Sequence, residues 1–249
     1  MNFELAMNVA IIVAAGQGTR AGGTGGGKGA KQFRELAGVP IIIHTLRRFE
    51  QSATIGECVV VVPAAQSSEF LKLIEQYQLR KVVRVVPGGA TRGESVWRGL
   101  QAVRAATAEI VAVHDGVRPF VAPEEFDETV RAAQAAGAAI LAAPTIDTIK
   151  EVKDNRVTRT LERAALCRAL TPQCFRYDLL RRAYEQASAD NLDATDDSAL
   201  VERLDASVSI VEGSARNIKL TRPEDFALAE ILLKEFENES KVQSPKSKV

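Results

Sequence analysis

The chain has 249 residues, 46% apolar and 26% charged, enough for one α/β domain with a full hydrophobic core. Its 32 lysines and arginines equal its 32 aspartates and glutamates, so no overall positive field exists to hold nucleic acid or an anionic membrane. Cys58, Cys167 and Cys174 are odd in number and unpatterned, which argues against a disulfide framework and suits a reducing cytoplasm.

The segment from Met1 to Asn8 lacks a basic region followed by an apolar one, so no signal peptide is expected. No apolar run approaches membrane-spanning length. Strands are predicted at residues 9–13, 57–62, 82–86, 110–114 and 138–143, each a short apolar run rich in β-branched residues or alanine. Helical patterns separate them at residues 40–49, 67–76, 92–105 and 123–136. Near-continuous apolar strands alternating with helices predict a mostly parallel sheet covered on both faces.

After the fifth strand, residues 149–152 and 157–160 flank the turn formers Lys153-Asp-Asn-Arg156, predicting a β-hairpin arm over about 145–165. The arm is either a surface hairpin or a device that docks on a second subunit. Capping boxes are predicted at Thr91-Arg-Gly-Glu94 and Thr221-Arg-Pro-Glu224, the latter opening a last helix over 223–237. The polar residues 238–249 are expected to be disordered, leaving a single domain over 1–237.

The richest signal follows the first strand: Val9-Ala-Ile-Ile-Val-Ala-Ala-Gly-Gln-Gly-Thr-Arg20, then a glycine-rich stretch to Phe33. Glycines let backbone N–H groups turn toward phosphate oxygens, and Arg20, Lys28, Lys31 and Arg34 add positive charge with no acid among them. Gly16-Gln-Gly18-Thr-Arg-Ala21 fits the dinucleotide fingerprint in letters, but that motif needs a helix at once and an acid ending the second strand, which here ends at Val62-Pro63. Gly22 to Lys28 nearly fits an ATPase phosphate loop, but Gly29 stands where a magnesium-binding hydroxyl belongs. A nucleotidyltransferase loop wrapping a triphosphate remains; a mobile linker would leave the cations without a use.

The chain resembles the 2-C-methyl-D-erythritol 4-phosphate cytidylyltransferase family of the non-mevalonate isoprenoid pathway. The resemblance rests on Ala14-Ala15-Gly16-x-Gly18-x-Arg20, Lys31-Gln32, Gly88-Gly89-x-x-Arg92-x-x-Ser95-Val96, His114-Asp115-Gly-Val-Arg118-Pro119, Asp147-Thr148, Leu170-Thr171-Pro172-Gln173, Thr195-Asp196, and Asn217-Ile218-Lys219-x-Thr221-Arg222-Pro223-Glu224-Asp225. These motifs keep family order over most of the chain. Val13 departs from the usual proline, and the longer loop over 22–30 leaves Lys28 competing with Lys31, which is favoured because Gln32 follows it.

The resemblance implies a single Rossmann-like nucleotidyltransferase domain that is cytoplasmic, uses magnesium, and joins CTP to a polyol phosphate. A ribitol-5-phosphate cytidylyltransferase is the near alternative, and a non-catalytic nucleotide-binding module the distant one. It assigns Arg20 and Lys31 to the triphosphate and transition state, with Lys219 beside the α-phosphate. Ala14, Ala15, Gly16, Gly18, Gly89, Arg92, Ser95 and Asp115 fall to the nucleotide, and Arg118, Thr148, Arg163, Thr171 and Thr195 to the acceptor. Family pattern also implies a homodimer, with Thr148, Arg163 and Thr195 matching contacts made across it. Asp115, ending an apolar strand, suits a magnesium ion that completes its shell with phosphate oxygens and water; the alternative is a turn or cap. Replacing it with asparagine is expected to spare the fold. His114 points to the opposite face by strand alternation and is expected to be structural. For Arg163 a solvated helix charge competes, and for the threonines turn and cap roles do.

Overall fold

The computed structural model describes residues 7–16, 31–192 and 196–243. Strand β1 (Met7–Val13) leads, past a 3-10 turn at Lys31–Phe33, into a small antiparallel pair, β2 (Glu35–Leu36) and β3 (Val39–Pro40). Then follow α1 (Ile41–Gln51), β4 (Ile55–Val62), α2 (Ser67–Gln76), β5 (Val82–Pro87), α3 (Arg92–Ala102), β6 (Ala108–Asp115), α4 (Pro123–Ala136) and β7 (Ala138–Pro144). The arm is β8 (Lys150–Lys153) and β9 (Arg156–Thr160). After it come β10 (Cys167–Arg176), α5 (Tyr177–Ala189), α6 (Asp197–Glu202), β11 (Ser209–Glu212) and α7 (Pro223–Gln243).

Seven strands form the central sheet in the order β11-β7-β10-β6-β1-β4-β5. All run parallel except β10, which is antiparallel to both β6 and β7. The predicted mostly parallel α/β sheet is therefore the observed one.

Alternation along each strand sorts the core into two layers. Ala10, Ile12, Val60 and Ala112 pack with Ile42, Phe49, Phe70 and Phe126 from α1, α2 and α4. Ile11, Val61, Val111 and Val113 pack with Val96, Leu100, Leu180 and Leu200 from α3, α5 and α6. A third cluster seats α7, through Ala229, Leu232 and Leu233, on Ile41, Val117, Phe120 and Leu220.

The arm turns at Asp154 and Asn155, with φ of 49° and 59°. Two successive left-handed residues make the tight turn whose twist matches paired strands, and Asp and Asn tolerate it best among residues with a side chain. Helix α3 stops at Ala102, short of the expected 105, because Val103 becomes extended (ψ 140°) and turns its side chain into the core. The second capping box is shifted by one residue: Asp225, not Glu224, accepts the amides of Thr221 and Arg222. Helix α7 runs past the expected end at residue 237 to Gln243.

Candidate active site

The strand order reverses direction between β1 and β6, the place where open α/β sheets leave a crevice at the carboxyl ends of their strands. Val13 and Asp115 end those two strands in register, and the Gly116 amide donates to the Val13 carbonyl at 2.9 Å. Ala14, Ala15 and Gly16 follow β1 directly, with the Ala14 amide donating to Val61 at 2.7 Å. The loop after β5 closes on them. A Cβ built on Gly88 would lie 2.1 Å from the Ala15 Cβ, so only glycine permits this approach.

Ser95 shapes that loop. Its hydroxyl accepts the Gly89 amide at 3.1 Å and donates to the Thr91 carbonyl at 2.9 Å, and the residue is buried. Thr91 caps α3 by accepting the Glu94 amide, while Glu94 reaches one residue beyond the cap to the Ala90 amide.

At the end of β6 one carboxylate gathers three cations. Asp115 lies 2.8 Å from Lys219 Nζ and 3.3 Å from the Nε of both Arg92 and Arg118. Burial alone would raise its pKa, but Arg92, Lys219 and Arg118 outweigh that and hold the carboxyl well below the usual range. Asp115 is thus an anion at any ordinary pH. Arg92 also donates to Asp197 at 2.9 Å; burial opposes its charge, but the two carboxylates raise its pKa. Arg118, its pKa lowered mainly by burial, is braced by the Asn217 carbonyl at 2.8 Å. Lys219 is placed by its neighbour: Leu220 is fully buried, and its amide donates to the Val117 carbonyl at 2.9 Å.

His114, fully buried, packs its ring edge-on against Phe49 on the far side of the sheet. Burial lowers its pKa to about 4, so it is neutral at physiological pH. The Thr171 hydroxyl, buried as well, bonds to His114 Nδ1 at 3.1 Å and accepts the Asp115 amide at 3.2 Å.

Of the residues singled out in the sequence, Asp115, Arg92, Arg118, Lys219 and Thr171 come together here, with Ala14, Ala15, Gly16, Gly89 and Ser95 at the same sheet edge. Lys31 lies in the 3-10 turn before β2. Thr148 and Arg163 stand apart from Asp115, lining a cavity of about 550 Å³ at the base of the arm with Thr145, Thr160 and Leu166. Arg163, though exposed, donates there to the Ile146 carbonyl at 2.9 Å. Gly18, Arg20, Lys28 and Thr195 lie outside the described residues.

Asp197, Tyr184 and Gln173 had been given no role. Asp197 accepts from Tyr184 as well as Arg92, and the Gln173 amide oxygen accepts the Asp197 and Ser198 amides, both at 3.0 Å. The second acid in Thr195-Asp196-Asp197 was the available signal.

Positive charge gathered where the strand order reverses suits two phosphate-bearing substrates, and with the fold it defines the class: an α/β nucleotidyltransferase. The sequence model of 2-C-methyl-D-erythritol 4-phosphate cytidylyltransferase matches residues 8–235. Proteins of that name from Bacillus velezensis and Solibacter usitatus are 44% and 45% identical, covering 91% and 92% of this chain and 95% and 97% of their own. The chain belongs to the 2-C-methyl-D-erythritol 4-phosphate cytidylyltransferase family. Its fold is similar to the crystal structure of 4-diphosphocytidyl-2C-methyl-D-erythritol synthase from Anaerococcus prevotii (TM-score 0.80, 32% identity, 92% and 99% of the two chains). The cytidylyltransferase from Thermus thermophilus is also similar (TM-score 0.73, 33% identity, 92% and 100%).

Proposed function

We propose that the chain transfers the cytidylyl group of CTP to 2-C-methyl-D-erythritol 4-phosphate, giving 4-diphosphocytidyl-2-C-methyl-D-erythritol and pyrophosphate. An acceptor phosphate oxygen attacks the α-phosphorus in line, a new P–O bond forms, and the bond to the β-phosphate oxygen breaks. A phosphate monoester has its second pKa near ~6, so the attacking oxygen is already ionised at neutral pH and needs no general base. What the protein supplies is alignment and positive charge, worth up to about 7–11 kcal/mol from positioning and several more from fixed cations. The observation that carries this reading is the Asp115 cluster, where Arg92, Arg118 and Lys219 converge on one ionised carboxylate.

In this reading Lys219 and Arg118 bring charge to the reacting phosphates while Arg92 steadies Asp115 from α3. Arg20, Gly18 and Lys31 serve the triphosphate, Ala14 to Gly16 and Gly89 the cytidine, and Thr148, Arg163 and Thr195 the acceptor. Ser95 and Thr171 have their hydroxyls committed to internal bonds and act by holding the walls.

Magnesium fits the donor set as an ion carried in by substrate. Among the described residues no group of three acidic, histidine or cysteine side chains could cage a metal, whereas Asp115 offers one permanently ionised carboxylate beside a phosphate site. When bound, the ion adds charge neutralisation on the phosphate oxygens.

The working unit is proposed to be a cytoplasmic homodimer, each protomer one catalytic domain over about 1–237 with its arm over 145–165. The cavity holding Thr148 and Arg163 shares no lining residue with the Asp115 cluster, and Val152 and Val157 leave the arm's apolar pair exposed. Both point to a second copy joining the two half-sites. Among the described residues no helix is long and apolar enough to cross a membrane. The test is pyrophosphate release from CTP and magnesium with methylerythritol phosphate or ribitol 5-phosphate as acceptor. Release with the first supports the reading, whereas release with ribitol phosphate alone overturns the acceptor. CTP binding without turnover on either would leave only a nucleotide-binding module.

A further inference from the structure

We propose that His114 is a positioning residue of the transfer site, acting through the Thr171 hydroxyl to fix the backbone that carries Asp115 and Arg118. The proposal rests on the cytidylyl-transfer reading of this site.

A directed set of hydrogen bonds carries it. The Asp115 amide donates to Thr171 Oγ1 at 3.2 Å, and that hydroxyl meets His114 Nδ1 at 3.1 Å. On the other side of the ring, His114 Nε2 lies 3.1 Å from the Arg118 carbonyl. A carbonyl can only accept, so Nε2 holds the ring proton and Nδ1 is left as an acceptor. Thr171 therefore spends its one hydroxyl proton on His114 while its oxygen receives the Asp115 amide. The loop this closes starts at the Asp115 backbone and returns at the Arg118 backbone. Those are the two residues whose side chains pair at 3.3 Å in the site.

Thr171 is pinned from a second direction. Asn217 Nδ2 donates to its carbonyl at 2.8 Å, and the Asn217 carbonyl in turn accepts from Arg118 Nη1 at 2.8 Å. The need for such a device follows from β10. Its ladder with β6 pairs Gln173 with Val113 and is not continued to Asp115, so a side chain takes the Asp115 amide. His114 itself faces Phe49 in the opposite layer, which keeps it from the reacting atoms. It reaches the site through the Thr171 hydroxyl on one side of its ring and the Arg118 carbonyl on the other.

The test uses full-length protein carrying Thr171→Val, Thr171→Ser, His114→Phe, or His114→Phe with Thr171→Val. Pyrophosphate release is followed with CTP, magnesium and methylerythritol phosphate. Thr171→Val and His114→Phe each lower kcat about tenfold or more while the KM for CTP stays within about twofold. Thr171→Ser restores near wild-type turnover, and the double variant loses less than the product of the two single losses, as expected of residues that share a hydrogen bond. Nitrogen-15 NMR of the unsubstituted protein supplies a readout independent of turnover: His114 is protonated at Nε2, and its Nδ1 resonance shifts in Thr171→Val. Wild-type kcat in Thr171→Val, multiplying losses in the double variant, or a proton found on Nδ1 would overturn the proposal. An unsubstituted protein that releases no pyrophosphate sinks the transfer reading instead, and the NMR experiment then still decides the relay.

Discussion

Lys219 Nζ and Asp115 Oδ2 lie 2.8 Å apart, joining the segment before the last helix to the end of the sixth strand. With Arg92 and Arg118 on the same carboxylate, the pair is the electrostatic centre of the site. Asp115→Asn removes the one carboxylate that touches all three cations, leaving Asp197 to balance Arg92 alone. Turnover should fall on the order of 10²–10³-fold, with weakened magnesium dependence. The sequence alone led to the expectation that the fold is spared, whereas the cluster leads to the expectation of a measurable loss of stability. Lys219 is 38% solvent-exposed, so the loss is discounted to about 2 kcal/mol, roughly a 5 °C fall in melting temperature. Calorimetry of both proteins checks it. Because the folded carboxyl titrates below its usual range, its stabilising effect is complete above about pH 4 and disappears only in stronger acid. An unchanged melting temperature would argue that the three cations are already relaxed by solvent.

His114 makes the milder acid range informative. Its pKa falls from 6.5 to about 4 on burial, so between those values the unfolded chain binds a proton that the folded chain refuses. Stability should be level above pH 6.5, decline as pH drops toward 4, and lose about 3 kcal/mol across the window. Urea unfolding at a series of pH values measures this, and His114→Phe should flatten that part of the curve.

Asp127, in α4, ties down the turn between α1 and β4. Its carboxylate accepts the Thr54 hydroxyl at 2.7 Å, the Ala53 amide at 3.0 Å and the Thr54 amide at 3.2 Å, with the Ser52 hydroxyl alongside. Asp127→Ala leaves those donors without an acceptor and should cost about 2–4 kcal/mol in denaturant unfolding. The surviving folded protein should keep both KM values, since this turn is not among the residues of the site.

Gly88→Ala tests the close approach of two loops. The new methyl would meet the Ala15 side chain, and one loop must move. The KM for CTP should rise about tenfold, with a stability loss of about 1–3 kcal/mol. Unaltered CTP affinity would place the cytidine away from this wall.

Val152 and Val157 face each other across the arm and are 58% and 62% exposed. Replacing both with aspartate should leave a folded monomer by sedimentation, with the acceptor KM raised more than the CTP KM. A dimer that persists would remove the arm from the interface.

Much of the fold was legible because parallel strands buried on both faces read as unbroken apolar runs, as in Ile11-Ile12-Val13 and Val59-Val60-Val61-Val62. Strand β10 was not, because Thr171-Pro172 reads as a break, and proline normally keeps out of a central strand. Here Pro172 falls where the β7 pairing shifts register between Ala169 and Gln173. Helix α5 was there to be found: Leu180, Ala183, Tyr184 and Ala187 recur at helical spacing and are all buried. The site divides the same way. Asp115 announced itself by standing at a strand end, but Asp197 reaches Arg92 only because the fold brings together residues 105 positions apart.

The one antiparallel strand of the central sheet also makes two recognition tasks share a ruler. From Cys167 at the foot of the arm to Thr171 beneath Asp115 is four residues of β10, roughly 13 Å of extended chain. Adding or deleting a single residue there would swing the threonine hydroxyl to the wrong side of the sheet as well as changing that span. The hairpin can change length without altering that span, while the short stretch behind it must hold its count.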